Sequence, residues 1–210
     1  MIKVLIADDH PVVRRGMKQI LAEEPDVGLV GEAGTTQEAL ALLHKEKWDI
    51  LVLDITMPGR GGLDLLGELK QVHPRVPVLI FSMHPEEQYG VRALRSGAAG
   101  YVSKQSAPTQ LIQAIRQILS GRKYVSPILA EKLALEMDWN SQKHPHETLS
   151  DREHQVLCMI ASGKTVSEIG KDLCLSIKTI STYRSRILLK MRMKNNAELT
   201  KYAIKNQLIE

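Results

Sequence analysis

Aromatic residues are scarce in this chain. One phenylalanine, two tryptophans and five tyrosines among 210 residues amount to 4%, so its cores must be built from aliphatic side chains. Cysteine is scarcer still. Cys158 and Cys174 are the only two, which excludes a disulfide framework. Both fall in helix-like segments and read as small buried apolar residues of a reducing compartment. No apolar run approaches the ~20 residues of a membrane span, and the N-terminus lacks a signal-peptide pattern. The expectation is a cytoplasmic chain with no membrane partner. Acidic side chains are missing from residues 176–194, where six basic ones stand. Residues 1–123 hold 15 Lys+Arg against 14 Asp+Glu, residues 124–148 hold 2 against 4, and residues 149–210 hold 11 against 6. The basic excess is thus confined to the last sixty residues and points to a polyanion partner for that part alone. Taken by itself, such a run equally describes a solvated face.

A length of 210 residues suits two domains. The N-terminal part alternates regularly. Strand-like runs lie near 2–7, 27–32, 49–54, 77–81 and 99–103, and helix-like segments near 11–23, 35–46, 62–72, 86–96 and 107–120. Short β-branched runs separated by helices predict a five-stranded, doubly wound parallel α/β sheet. Residues 127–137 form one more short helix pattern. Residues 138–148 are polar and aperiodic, with Pro145 interrupting any helix, and read as a linker. His144 and His146 lie in it without a nearby cysteine or acidic pair, so a solvated linker outweighs a metal site there. The final segment is all helix-like. Ser150-Asp151-Arg152-Glu153 is a capping box and Gly163 a helix stop. Helices are predicted near 166–173, 177–191 and 196–206, with a turn around Cys174-Leu175-Ser176.

Polar residues gather where the strands should end. Asp8 and Asp9 follow Val4-Leu5-Ile6-Ala7, and Asp54 follows Ile50-Leu51-Val52-Leu53. Ser82 follows Val78-Leu79-Ile80-Phe81, and Lys104 closes Ala99-Gly100-Tyr101-Val102-Ser103. Chemistry in such sheets lies beyond the carboxyl ends of the strands. Three carboxylates, a hydroxyl and an amine would therefore meet in one crevice suited to phosphoryl transfer. Each residue alone is unremarkable: paired aspartates after a strand often cap a helix, and Ser82 or Lys104 alone signifies nothing.

On these motifs, residues 1–121 resemble the receiver domain of two-component response regulators (flavodoxin-like), and residues 149–210 resemble a LuxR-type helix-turn-helix domain. The intervening 122–148 is the linker. The pair, in this order, resembles the NarL/FixJ family. That resemblance implies a phosphoprotein switched at Asp54, the acceptor of an aspartyl-phosphate. It implies Mg2+ held by Asp9 and Asp54, with Asp8 in support and the backbone carbonyl of Thr56 completing the set, since magnesium favours hard oxygen ligands. Lys104 would pair with the phosphoryl group and Ser82 would donate to it. Ser82 and Tyr101 match the family's switch pair, in which the hydroxyl moves to the phosphoryl group and the ring turns into the vacated space. The loop Met57-Pro58-Gly59-Arg60-Gly61-Gly62 is turn chemistry beside the acceptor. One departure is Gln105, which stands where many receivers have proline.

Two helices separated by a short turn within 166–191 fit a helix-turn-helix, the second entering the major groove of double-stranded DNA. At 100° per residue, Ile177, Ile180, Ile187 and Met191 share one face, which must be the core. Lys178, Ser181, Thr182, Ser185 and Arg186 fall opposite. Ser181, Thr182 and Ser185 are placed nearest base edges, with Arg186 the guanine reader among the charged residues. Lys178, Thr179 and Tyr183 are placed on phosphates, with Lys164 and Lys190 further out. Arg184 falls in the apolar stripe and needs a partner; a structural ion pair with Glu153 or Glu168 is expected, with a phosphate contact as the alternative. The family usually has His where Tyr183 stands, and Gly where Arg192 stands. If the backbone there needs positive φ, Arg192 is unfavourable.

The chain is therefore expected to be a transcription regulator, not an enzyme. Its partners would be a sensor histidine kinase, DNA, a second copy in a homodimer and, as a further candidate, RNA polymerase. An aspartyl-phosphate phosphatase is disfavoured because Thr56 stands where those hydrolases carry a second acid. A receiver used only for dimerisation is disfavoured by the intact acid cluster.

Overall fold

The computed structural model describes residues 1–57, 62–106, 108–138, 144–206 and 208–209. The loop 58–61 and the linker stretch 139–143 singled out above lie outside them. The chain divides into two compact units, Met1–Glu136 and Met137–Glu210.

The first unit alternates β1 (Ile2–Ala7), α1 (Pro11–Ala22), β2 (Val27–Ala33), α2 (Thr36–Lys45), β3 (Ile50–Leu53), α3 (Gly62–Val72), β4 (Val78–Ser82), α4 (Glu86–Arg95), β5 (Gly100–Ser103) and α5 (Pro108–Leu119), then adds α6 (Pro127–Asp138). All strand pairs are parallel, in the order β2-β1-β3-β4-β5. Consecutive strand residues enter opposite cores. Leu5, Ala7, Leu51, Leu53 and Ile80 pack on one side of the sheet with α2, α3 and α4, while Val4, Ile6, Val52, Leu79 and Phe81 pack on the other with α1 and α5. Burial on both faces is why these strands read as unbroken apolar runs. The strand order reverses between β1 and β3, the position where such sheets open a crevice.

The second unit is helical: a 3-10 turn (Pro145–Thr148), then α7 (Asp151–Ala161), α8 (Val166–Asp172), α9 (Ile177–Met191) and α10 (Asn196–Lys205). The Ser150–Glu153 capping box is present, and a second one, Thr165–Glu168, starts α8. Ser176 and Asn195 cap α9 and α10. Val156, Leu157, Ile169, Ile180, Ile187, Leu199 and Ala203 form its core.

Four expectations need correction. Pro145 does not merely interrupt a helix; it opens the 3-10 turn, where its missing N–H is no loss. His144 and His146 stack, with ring centroids 5.4 Å apart, and the His146 Nδ1 lies 2.8 Å from the Tyr202 hydroxyl, so this end of the linker is built into the second unit. Cys174 is exposed and left-handed at φ 52, not a buried helical residue, whereas Cys158 is buried. Ile177 is 58% exposed. It shares the helical phase of Ile180 and Ile187, but as the first residue of α9 it lies beyond the end of the core.

Candidate functional site

Strand register builds the first site. Ala7 pairs with Leu53 across β1 and β3, so the next residues, Asp8 and Asp54, leave the sheet side by side. The Asp54 N–H donates to the Ala7 carbonyl at 2.8 Å and fixes that exit. Ser82 pairs with Ser103 at the ends of β4 and β5, which carries Lys104 over the same crevice. Gly62, the first residue of α3, lies against the acceptor strand: a Cβ there would stand 2.2 Å from the Asp54 carbonyl oxygen. Only glycine permits that approach.

Lys104 Nζ donates to Asp54 Oδ2 at 2.7 Å and lies 2.6 Å from Asp8 Oδ2. Lys104, Asp8 and Asp54 are all buried. The Asp8 contact is an ion pair without hydrogen-bond alignment, because Asp8 Oδ2 has no hydrogen-bond partner. Asp54 Oδ1 accepts from the Thr56 N–H at 3.2 Å and the Thr56 hydroxyl at 3.0 Å. Asp9, 27% exposed, opens the cluster to solvent. Ligand atoms of Asp8, Asp9, His10 and Asp54 all lie within 4.8 Å of one another. Three carboxylates against one ammonium leave two formal negative charges in a small volume. Hard oxygens with that deficit fit a divalent cation such as magnesium; the His10 nitrogen is the poorer ligand of the four.

Ser82 and Tyr101 are brought together as well. Both are fully buried. The Tyr101 hydroxyl donates to the His84 carbonyl at 2.9 Å, and the His84 N–H donates to Ser82 Oγ at 3.3 Å. Burial pushes the Tyr101 hydroxyl well above the usual tyrosine range; Ser82 opposes this and the Asp54 charge adds to it. The group therefore stays protonated and must donate. The Lys104–Gln105 peptide is trans, as are all described peptide bonds.

Residue reasoning missed three members. His10 joins the carboxylates: its N–H donates to Asp8 Oδ1 at 2.8 Å, and its ring Nδ1 lies 2.8 Å from Asp9 Oδ1. Arg14 donates to the Asp8 carbonyl at 2.7 Å and steadies that turn. His84 supplies the carbonyl that holds Tyr101. His10 directly follows the acidic pair and Arg14 stands five residues after Asp9, a closeness in sequence that could have found them.

In the second unit, Lys178, Ser181, Thr182, Ser185 and Arg186 are exposed on α9, while Ile180 and Ile187 are buried behind them. Thr182 and Ser185 donate back to the carbonyls of Lys178 and Ser181, each at 3.0 Å. Thr179 is half-buried, its hydroxyl 2.8 Å from that of Ser176, and Tyr183 packs against the core. Among the described residues Arg184 finds no acid: its Nε donates to Asn196 Oδ1 at 2.6 Å, tying α9 to α10. Glu153 instead pairs with Lys190 at 2.6 Å. Burial pushes the Glu153 carboxyl up, but Lys190 and Ser150 outweigh it and hold it below the usual range. Lys190 and Lys164 are thus engaged inside the domain, the latter with Asp172 at 2.7 Å. Arg192 is left-handed, φ 55 and ψ 41, at the end of α9.

The response regulator receiver domain family matches residues 4–116, and the luxR family of bacterial regulatory proteins matches residues 147–203. The chain belongs to the two-component response regulators that control transcription. The response regulator GacA of Pseudomonas aeruginosa is 37% identical to it over 212 residues, covering 100% of this chain and 99% of that protein. The response regulator UvrY of Escherichia coli is 35% identical over 209 residues, covering 99% and 96%. Among solved structures, RcsB from Salmonella enterica serovar Typhimurium, bound to promoter rprA with the phosphomimetic BeF3−, is 30% identical with a TM-score of 0.66, covering 96% of this chain and 98% of that one. Among the described residues, no helix of this response regulator is long and apolar enough to cross a membrane.

Proposed function

We propose that this response regulator works in the cytoplasm, accepts a phosphoryl group on Asp54 from a sensor histidine kinase and then binds double-stranded DNA as a homodimer. The observation that carries the reading is the buried Asp54–Lys104–Asp8 cluster, which with the adjoining Asp9 sets three carboxylates against one ammonium. An Asp54 carboxylate oxygen attacks phosphorus, the bond to the donor imidazole breaks, and the imidazole leaves with the electron pair. The transition state is loose, so positioning and charge matter more than covalent help. Thr56 holds one carboxylate oxygen, which orients the attack. Lys104, already at the site, pairs with an incoming phosphoryl oxygen, and the Ser82 hydroxyl donates to it. Asp8, Asp9 and Asp54, with the Thr56 carbonyl, would hold Mg2+, which when bound neutralises charge on the transferring oxygens. Ser82 and Tyr101 then act as the switch.

On DNA, Ser181, Thr182, Ser185 and Arg186 face base edges, while Lys178, Thr179 and Tyr183 hold phosphates. Lys190 is assigned to fixing α9 through Glu153. One recognition helix reads few base pairs, so two copies on a two-fold site supply the specificity. The RcsB relative captured on promoter DNA with a phosphomimetic supports this order of events. RNA polymerase is the partner through which a bound dimer would act.

The test is Asp54→Asn, which keeps size and removes the nucleophile. Magnesium-dependent labelling by acetyl phosphate should vanish while circular dichroism is unchanged. Full-stoichiometry labelling of that variant overturns the assignment.

A further inference from the structure

The face of the first unit beside Tyr101 is covered by the chain's own α6. Leu129 is fully buried there. It occupies a notch left by Gly90 on α4: an added Cβ would stand 2.8 Å from Leu129 Cδ1 and 2.9 Å from Cδ2. Ser126 joins the two helices. Its hydroxyl accepts the Leu129 N–H at 3.1 Å, capping α6, and donates to Glu86 Oε1 on the first residue of α4 at 2.7 Å. Lys132 donates to the Glu87 carbonyl. Upstream, the Tyr124 N–H donates to the Ala99 carbonyl at 2.9 Å, and Tyr124 bridges Gly100 at the start of β5. Val125 and Leu133 pack on the same core as Leu129. The anchors of α6 therefore sit on the first half of α4 and the head of β5.

Tyr101 is tied to the same place. Its hydroxyl holds the carbonyl of His84, two residues ahead of Glu86. The His84 ring lies 4.7 Å from the Tyr89 ring, and Tyr89 adjoins the Gly90 notch. Contacts thus run unbroken from Ser82 through His84 to Glu86, Tyr89 and Gly90, and from there to Ser126 and Leu129. The chain passes from the first unit to the second through α6.

We infer that α6 is the output element of the receiver, and that the Tyr101–His84 bond sets its seat on α4. With Tyr101 inward, as here, the His84 carbonyl is held and α6 is seated. With the ring outward, the carbonyl loses its donor, the start of α4 shifts, and α6 loosens. While α6 is seated, Leu129 occupies the α4 face, so a second copy must pair elsewhere. The input side rests on the phosphoacceptor reading of Asp54; the connection from Tyr101 to α6 does not.

Hydrogen exchange on the full chain tests it. Tyr101→Phe removes one hydroxyl and keeps the ring. Amides of 127–134 should exchange roughly fivefold faster, the loss of about one net hydrogen bond, with α1 and α2 unchanged. Ser126→Ala should give the same local pattern. Adding Mg2+ with beryllofluoride should slow these amides in the wild type and leave Tyr101→Phe unmoved. Unchanged exchange of 127–134 in Tyr101→Phe, or faster exchange spread evenly over the first unit, overturns the inference. A wild type that takes no acetyl-phosphate label but keeps the Tyr101→Phe effect refutes the Asp54 reading and leaves the α6 connection standing.

Discussion

The receiver's acid pocket and the outer face of α9 both carry the chain's function on charged side chains, but they hold that charge differently. Asp8, Asp54 and Lys104 are buried, locked by strand register and mutual contact before any partner arrives. Lys178, Thr182 and Arg186 stand exposed on a helix whose opposite side is core. A preorganised buried site acts as a unit, so one missing group removes most of the activity. An exposed face works by increments, each contact adding its own share when DNA supplies the other half. The difference predicts abrupt failure in the first unit and graded failure in the second.

The largest effect is expected at Asp9. Asp9→Ala removes the one partly exposed carboxylate of the cluster and should abolish magnesium binding and phosphorylation together. Fluorescence titration checks it, and retention of wild-type magnesium affinity would break the contrast at its strong end. Next, a fragment spanning 144–210 should bind a target site without the receiver. Its affinity should fall by roughly a thousandfold between about 50 and 200 mM salt if six or more phosphates are neutralised. A folded fragment with no salt-sensitive binding contradicts the placement of the DNA face. Within that face, Thr182→Ala and Arg186→Ala should each lower the preference for target over random DNA by ~1–3 kcal/mol. Lys178→Ala should weaken both about equally; competition binding separates the two patterns, and equal losses in all three variants would erase the base-phosphate division. The smallest effect concerns the fold alone. Arg192→Gly relieves a left-handed residue at the end of α9 and should stabilise the fragment by ~1 kcal/mol, raising its melting temperature by about 4–8 °C. An unchanged or lower melting temperature would show that the Arg192 side chain compensates for its backbone.

The same contrast explains what could be read from sequence. Parallel strands buried on both faces leave continuous apolar runs, so β1, β3 and β4 and the polar residues ending them were visible without coordinates. Helical phase found the buried Ile180 and Ile187, but phase gives direction around an axis, not position along it; Ile177 is exposed for that reason. Arg184 was rightly seen to need a partner, yet the rule that a charge seeks an acid missed the Asn196 carbonyl. A turn was expected around Cys174, but nothing in its neighbours announces that Cys174 itself is left-handed and exposed. The seat of α6 was least legible of all. Leu129 packs into a notch made by Gly90, and a glycine that matters for the side chain it lacks leaves no pattern to detect.

Parallel pairing has a kinetic consequence. Val4 finds Ile50, and Leu51 finds Val78, only after long stretches of chain have closed. Closing such loops consumes entropy before any contact repays it, so sheets of this order fold slowly. The second unit joins α7 to α8 and α8 to α9 through short turns and needs little such search. Synthesis delivers the slow unit first, which gives the parallel sheet time to form before the fast helices emerge behind it.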